Sequence, residues 1–202
     1  MPFDHNDHYH PLLLNLIPTG ARRALDVGCG TGAFARAVAA RGLRVDALDA
    51  DAGVIAAARA ADPGGPESNV TYATVDIAER TPPPGRYDFI SCLASLHHME
   101  FDILAALRDA LRPGGVLAVL GLYRDDRSPV VRAPLAAPLN VAFRVAHRVR
   151  EGGGDPDRVR PPVRDAEMTL PQIRARAAEL LPGAVISPRL FWRYVLAYRQ
   201  PT

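Results

Sequence analysis

The sequence predicts a doubly wound α/β fold with seven strands, on three observations. A stretch at residues 24–27 that is apolar except for Asp26 ends in three alternating glycines. An alanine-rich stretch with helical spacing follows, so the pattern is that of a strand, a tight turn and a helix. Short apolar or β-branched segments then alternate with helical patterns, as strand-helix-strand units require. Carboxylates close three successive predicted strands, at the edge where open α/β sheets bind ligands.

The glycine turn reads Gly-Cys-Gly-Thr-Gly from Gly28 to Gly32. Glycine is needed where the backbone takes conformations that a Cβ would block, or where a ligand approaches closely. The spacing also fits a loose dinucleotide-binding fingerprint, but a strand leading to a pyrophosphate site is normally apolar up to its first glycine. Asp26 instead directs negative charge at the ligand, which suits an ammonium or sulfonium group.

These residues resemble the first motif of class I S-adenosylmethionine-dependent methyltransferases, whose acidic-x-Gly-x-Gly-x-Gly loop holds the methionine end of the cofactor. The resemblance implies S-adenosyl-L-methionine as cofactor and S-adenosyl-L-homocysteine as product. It assigns contacts with this part of the cofactor to Asp26, Gly28, Cys29, Gly30 and Gly32.

An arm at residues 1–18 precedes the first strand. Its polar start carries three histidines, and the apolar residues from Pro11 to Ile17 predict a short helix that Pro18 stops. No cysteine or carboxylate set at ligand spacing accompanies the histidines, so we predict no metal site. The arm can fold over the strand ends and contact ligand, or it can simply pack on the surface.

Leu43 to Asp49 predicts the second strand, which is followed by a helix from Asp51 to Ala61. Asp49 stands 21 residues beyond Gly28, the distance at which a strand-helix-strand unit returns to the same edge and can bind both ribose hydroxyls. The alternative is that Asp49 caps the helix, although Asp51 is the more natural cap. The resemblance assigns the ribose to Asp49 and places Ala50 beside the adenine.

Val70 to Val75 alternates and is β-branched, which predicts the third strand, with Asp76 at its end. The resemblance assigns the adenine amino group to Asp76 and a ring nitrogen of adenine to the backbone amide of Ile77.

Tyr87 to Leu93 predicts the fourth strand, followed by Ala-Ser-Leu-His-His-Met. This resembles the fourth family motif, which places Leu93 under the sulfonium, and the histidine pair is typical of the ubiquinone/menaquinone-biosynthesis-like small-molecule branch. His97 or His98 can act as a general base, since imidazole titrates near neutrality, or either can brace the loop. The Asn/Asp-Pro-Pro-Tyr pattern of amide-methylating enzymes is absent.

Phe101 to Arg112 predicts a helix with apolar residues at 101, 104, 107 and 111, stopped by Pro-Gly-Gly. Val116 to Leu120 is continuously apolar, which is typical of a strand buried on both faces. The Leu-Arg-Pro-Gly-Gly sequence before this fifth strand also resembles the family.

The segment from about 123 to 165 is proline-interrupted and locally rich in arginine. The resemblance implies an inserted substrate cap, whereas a solvated arginine face or a membrane-surface helix are the alternatives. We expect this segment and the arm to form the acceptor pocket, and the candidate acceptor contacts are Tyr9, His10, Tyr123 and His147.

A helix opening at Thr169 and two closely spaced strands, Ala184 to Leu190 and Phe191 to Arg199, complete the pattern. They predict a terminal antiparallel hairpin, which an ordinary dinucleotide-binding domain lacks. The resemblance implies a Rossmann-like methyltransferase fold with strand order 3-2-1-4-5-7-6 and strand 7 antiparallel. Residues 1–202 are expected to form one domain.

The composition of the chain limits the reactions, the partners and the location that we expect for the protein. All 24 basic side chains are arginine, which excludes any mechanism that needs a lysine amine. The net charge is only +2 and the sequence has no long run of like charges, so we expect no nucleic-acid partner. The two cysteines do not form a disulfide framework, and neither a leader nor an apolar span of membrane length is visible. We therefore expect a cytoplasmic protein. We also expect it to be a monomer or a homodimer.

The predicted function is methyl transfer from S-adenosylmethionine to a small-molecule acceptor, at oxygen, nitrogen or carbon. Holding donor and acceptor in line can supply most of the barrier reduction, so a dedicated base is optional. Two alternatives stay open. One is a protein that binds the cofactor for a regulatory or pericyclase-like role, and the other is a nicotinamide-dependent oxidoreductase, against which Asp26 and the terminal hairpin count.

Overall fold

A computed structural model of the chain describes residues 7–124, 166–190 and 192–202. They form one seven-stranded sheet with the order β3-β2-β1-β4-β5-β7-β6, which confirms the predicted fold. The first five strands are mutually parallel, and β7 is antiparallel to both β5 and β6. The strands are β1 (Arg23–Val27), β2 (Arg44–Asp49), β3 (Val70–Thr74), β4 (Tyr87–Leu93), β5 (Leu111–Leu122), β6 (Val185–Arg189) and β7 (Arg193–Arg199).

Helices cover both faces of the sheet. The described helices are α1 (His10–Leu14), α2 (Ala33–Ala39), α3 (Ala52–Ala60), α4 (Ile103–Ala110) and α5 (Leu170–Leu180), with short 3-10 turns at Asp7–Tyr9, Gly65–Glu67 and Leu96–His98. One buried cluster joins α1, α2 and α3 to the sheet, and we call this side the α1–α3 face. The other cluster joins α4 and α5 to the opposite face. Within the described residues, no helix is long and apolar enough to cross a bilayer.

For the predicted helix from Phe101 to Arg112, the predicted position of the C-terminal end is wrong. The helix stops at Ala110, and Leu111 already has extended backbone, with φ −74° and ψ 143°, and pairs with Tyr87 in β4. Pro113 disfavours helical backbone at Arg112, so the helix cannot extend to the predicted end. Leu111 reaches the core from the strand, where it is 2% exposed. The fifth strand therefore begins five residues before the predicted Val116.

The arm is helical over a shorter stretch than predicted. The predicted helix from Pro11 to Ile17 is observed as α1, which ends at Leu14. The amides of Leu16 and Ile17 donate to carbonyls three residues earlier, so the chain continues in tight turns up to Pro18.

Candidate active site

The glycine turn lies at the carboxyl edge of the sheet, between β1 and α2. Its three glycines have φ of +64°, +54° and +76°. A Cβ on Gly28 would stand 2.3 Å from Ser95 Cβ, and one on Gly32 would stand 2.6 Å from the ring of Tyr72. A Cβ on Gly30 would meet no atom within 4 Å. The outer two glycines therefore permit packing inside the protein, whereas Gly30 borders open space that a ligand can occupy.

Cys29 fastens this turn to the sheet. Its amide donates to the Leu48 carbonyl at 2.9 Å, and its own carbonyl accepts from the Gly32 amide at 2.9 Å. The side chain is 9% exposed, and burial raises the pKa of the Cys29 thiol well above its usual range. The thiol is therefore neutral and unsuited to nucleophilic chemistry, which leaves its backbone and its packing to serve the loop.

Asp26 lies inside β1 on the α1–α3 face and is 2% exposed. The Ser91 hydroxyl donates to Asp26 Oδ1 at 2.7 Å, while Oδ2 is buried without a hydrogen-bond partner. Burial raises the pKa of this carboxyl to about 7; the Asp49 charge adds to the rise, and the Ser91 hydrogen bond opposes it. This carboxyl therefore keeps its proton to a higher pH than an exposed aspartate does, and one of its oxygens can accept a further hydrogen bond.

Asp49, the last residue of β2, connects the glycine turn to the start of α3. Its Oδ2 accepts from the Gly30 amide at 3.0 Å, and its Oδ1 accepts from the Asp51 amide at 3.0 Å. Asp51 caps α3 by accepting from the Gly53 and Val54 amides, which confirms Asp51 rather than Asp49 as the cap. An ionised carboxylate offers about four acceptor positions, so Asp49 keeps capacity for a diol.

The predicted adenine contacts follow β3. Asp76 is exposed, and its Oδ1 accepts from the Ala78 amide at 2.9 Å, while Ile77 is buried at 4% exposure. Ala50, which was predicted to lie beside the adenine, is exposed between Asp49 and Asp51.

The three carboxylates form a diagonal. Asp26 stands opposite Ala47, two residues before Asp49, and Asp49 stands opposite Thr74, two residues before Asp76. Two residues of strand advance the chain by about 6.5 Å, so each carboxylate lies farther out than its neighbour. A long ligand would meet them in turn, the buried carboxyl first and the exposed one last.

The end of β4 is held under backbone strain. Ala94, the residue after Leu93, has φ +52°, which is unusual for a residue with a Cβ, and its amide donates to the Leu120 carbonyl at 2.7 Å. The Ser95 hydroxyl then donates to the Val27 carbonyl at 2.8 Å. These bonds join the ends of three strands, and strain of this kind concentrates at functional sites. Leu93 is partly buried against the cluster on the α1–α3 face.

The predicted histidine pair lies just beyond, in the 3-10 turn Leu96–His98. The two rings are 4.0 Å apart between centroids and inclined at 41°, with His97 partly buried and His98 exposed. The pair stands at the carboxyl end of β4, at the same edge of the sheet as the glycine turn.

The predicted acceptor residues divide into described and undescribed ones. Tyr9 is 8% exposed, with its hydroxyl at 3.5 Å from the Leu190 carbonyl, and the ring of His10 packs edge-on against Phe34 of α2 at 4.9 Å. Tyr123 follows β5, and its amide donates to the Trp192 carbonyl at 2.9 Å. The arm therefore reaches from α2 to the turn between β6 and β7. His147 lies outside the described residues, as does almost all of the predicted cap.

Sequence reasoning missed Ser91 and Ser95, both of which are buried. Ser91 stands directly opposite Asp26 where β1 pairs with β4, and Ser95 packs against Gly28. The available signal was a serine between the apolar residues in the middle of the fourth strand, next to a strand that carries a buried carboxylate.

The strand order, the glycine turn and the carboxylates at the carboxyl edge define a class I S-adenosylmethionine-dependent methyltransferase fold. The open space at Gly30 and the unpartnered Asp26 Oδ2 fit a ligand that carries an ammonium group.

Comparison with known proteins gives the same class. A family model described as a methyltransferase domain matches residues 25–117. An uncharacterized methyltransferase of Mycobacterium tuberculosis is 32% identical over 203 residues, which cover 99% of this chain and 98% of the relative. A ubiquinone biosynthesis O-methyltransferase of Azotobacter vinelandii is 35% identical over 126 residues, 59% of this chain and 54% of the relative. An S-adenosylmethionine-dependent methyltransferase structure from Mesorhizobium loti shares the fold, with a TM-score of 0.64 and 20% identity over 96% of this chain and 100% of that one.

The chain belongs to the S-adenosylmethionine-dependent methyltransferases, and S-adenosyl-L-methionine is its cofactor.

Proposed function

We propose that this methyltransferase acts on a small-molecule acceptor bound beside the cofactor, over the ends of β4, β5 and β7. One observation carries the proposal: the glycine turn, Asp49 and Asp76 lie at the half of the edge built by β1, β2 and β3, while Tyr9 and Tyr123 both contact the turn before β7, at the other half. Several curated relatives are named as ubiquinone biosynthesis O-methyltransferases, which supports a small acceptor.

In this proposal the cofactor lies along the diagonal of carboxylates. The loop residues Gly28, Cys29, Gly30 and Gly32, together with Asp26, hold its methionine end. Asp49 accepts hydrogen bonds from the ribose diol with the lone pairs that the Gly30 and Asp51 amides leave unused. Ala50, Asp76 and Ile77 surround the adenine, and Leu93 lies beneath the sulfonium.

The cofactor supplies an electrophilic methyl group on a positively charged sulfur. The protein's own contribution is positional: it fixes the acceptor in line with the methyl group and excludes water, which can account for most of the acceleration. Where the acceptor atom is a hydroxyl oxygen, His97 or His98 takes its proton. Tyr9, His10 and Tyr123 contact the acceptor.

We further propose one domain over residues 1–202, in which the arm at 1–18 and the segment at 123–165 cover the acceptor. Tyr9 supports the part played by the arm, since it is buried and its hydroxyl lies near the Leu190 carbonyl. His147 keeps its predicted role as an acceptor contact within the covering segment.

The test is to trace a labelled methyl group. The protein and methyl-labelled S-adenosylmethionine are incubated with the low-mass and the macromolecular fractions of a cell extract. The control is the Gly30→Val variant, which we expect not to bind the cofactor. We expect label in the low-mass fraction, together with S-adenosylhomocysteine, for the unaltered protein only. Label confined to protein or nucleic acid would contradict the proposal. Cofactor binding without any transfer would favour a non-catalytic role.

A further inference from the structure

On the α1–α3 face, a row of side chains crosses the carboxyl edge of the sheet from β4 through β5 to β7, beyond the half that we assign to the cofactor. Leu93 packs against the cluster of this face, and Leu122 lies two residues beyond Leu120, a member of that cluster. Arg193 stands opposite Leu122 and two residues before Val195, which also belongs to the cluster. Side chains two residues apart share a face, so the row passes from apolar side chains to a cationic one.

Arg189 extends this row. It stands opposite Arg193 where β6 pairs with β7, and directly opposed residues of an antiparallel pair project from the same face. Arg189 is exposed and makes no ion pair with any described residue. Two guanidinium groups on adjacent strands offer fork-shaped donors that match a carboxylate.

The turn between β6 and β7 adds exposed apolar surface at the same edge. Leu190 is 65% exposed and Trp192 is 37% exposed, and both lie in this one turn. Trp192 has φ +55°, a strained conformation for a residue with a Cβ, and its carbonyl accepts from the Tyr123 amide. The strain and the hydrogen bond fix the backbone of Trp192, which directly precedes Arg193 in the chain.

We propose that the acceptor is a flat aromatic acid, whose ring lies against Trp192 and Leu122 and whose carboxylate is bound by Arg189 and Arg193. The inference rests on the proposed function and names its substrate class. Adjacent strands are about 4.8 Å apart, so β7 lies about 10 Å from β4 and β6 about 14 Å from it. That span fits one or two fused or conjugated rings between the methyl group and the guanidinium groups. Arg189 and Trp192 then determine specificity.

The methyl-transfer step balances for such an acceptor. A hydroxyl oxygen of the ring forms the new bond to the methyl carbon, and the bond from that carbon to sulfur breaks. The electron pair goes to sulfur and gives neutral S-adenosylhomocysteine, while the hydroxyl proton passes to a base or to water. The carboxylate is unchanged and serves only for recognition.

Trp192 is the single tryptophan of the chain, so its fluorescence reports directly on this site. The protein is saturated with S-adenosylhomocysteine and titrated with hydroxylated benzoates, cinnamates and naphthoates, each beside its uncharged amide. We expect at least one acid to quench or shift the fluorescence and to bind about tenfold or more tightly than its amide, as a charged hydrogen bond implies. Arg189→Gln should remove this preference without changing affinity for S-adenosylhomocysteine.

Arg199→Gln is the matched control, because Arg199 lies at the other end of β7, opposite Val116, and should leave the preference intact. Equal affinity for acids and amides, or no Trp192 response to any acid, would overturn the inference. A larger response to phosphatidylglycerol vesicles than to any acid would also overturn it and indicate a membrane surface. The proposed function fails separately, if labelled methyl groups reach only macromolecules.

Discussion

Replacing Asp26 with asparagine should stabilise the protein and weaken its binding of cofactor. The carboxyl is buried, and one of its oxygens has no hydrogen-bond partner, so its ionised form is poorly solvated. Burial is the main reason that its pKa rises from 3.8 to about 7. Asparagine keeps the shape and removes the charge, and its amide can still contact the Ser91 hydroxyl.

The magnitude follows from the pKa. Each pKa unit corresponds to about 1.4 kcal/mol, so ionised Asp26 costs the folded state about 4 kcal/mol in full. The folded pKa is raised, so the folded protein binds the proton more tightly than the unfolded chain does. Stability is lost as pH rises from about 4 to about 7. As the pH rises from 5 to 8, the free energy of unfolding of Asp26→Asn should increase by about 2–3 kcal/mol relative to that of the unaltered protein.

The assay is urea unfolding of both proteins at several pH values, and the quantity compared is the difference in their free energies of unfolding. Other titrating groups cancel in that difference. A difference that stays constant from pH 5 to pH 8 would refute the reasoning, because Asp26 would then titrate alike in the folded and unfolded chains. Calorimetry at pH 8 should show weaker binding of S-adenosylhomocysteine by the variant, since it lacks the carboxylate that we propose faces the ammonium group of the cofactor.

Two further predictions concern the cofactor half of the site. Asp49→Ala removes the carboxylate proposed to bind the ribose, and calorimetry should show S-adenosylmethionine binding weakened about tenfold or more. Asp51→Ala is its control: it should cost about 1 kcal/mol of stability by uncapping α3 and leave affinity unchanged, and equal losses of affinity in both variants would exclude a direct role for Asp49. Gly30→Val should fold, as circular dichroism would show, but bind no cofactor, because the new side chain fills the open space before the loop. Gly42→Val carries the same conformational strain, with φ +88° and open space around it, and should bind normally; normal binding by Gly30→Val as well would mean that the loop does not face the ligand.

Local patterns predicted most of the fold, because each parallel strand with its helix is a nearly self-contained unit. The glycine turn, the cap at Asp51 and the hairpin at the end of the sheet all depend on residues close in sequence. Leu111 was assigned wrongly because helical spacing and a buried strand place it equally well in the core, and only its pairing with Tyr87 decides. Ser91 was missed because its meaning depends on Asp26, 65 residues earlier in the chain.

The placement of β7 between β5 and β6 sets an order of events during synthesis. β6 leaves the ribosome before β7, yet β7 is the strand with which it pairs, so β6 cannot join the sheet until β7 has been made. Until then the apolar edge of β5, from Val116 to Leu122, has no neighbour on that side. An unpaired apolar edge is a template for aggregation, so pauses in translation between residues 122 and 193 should increase aggregation of the nascent chain. A ribosome-bound chain stalled in this interval would be an early client of chaperones.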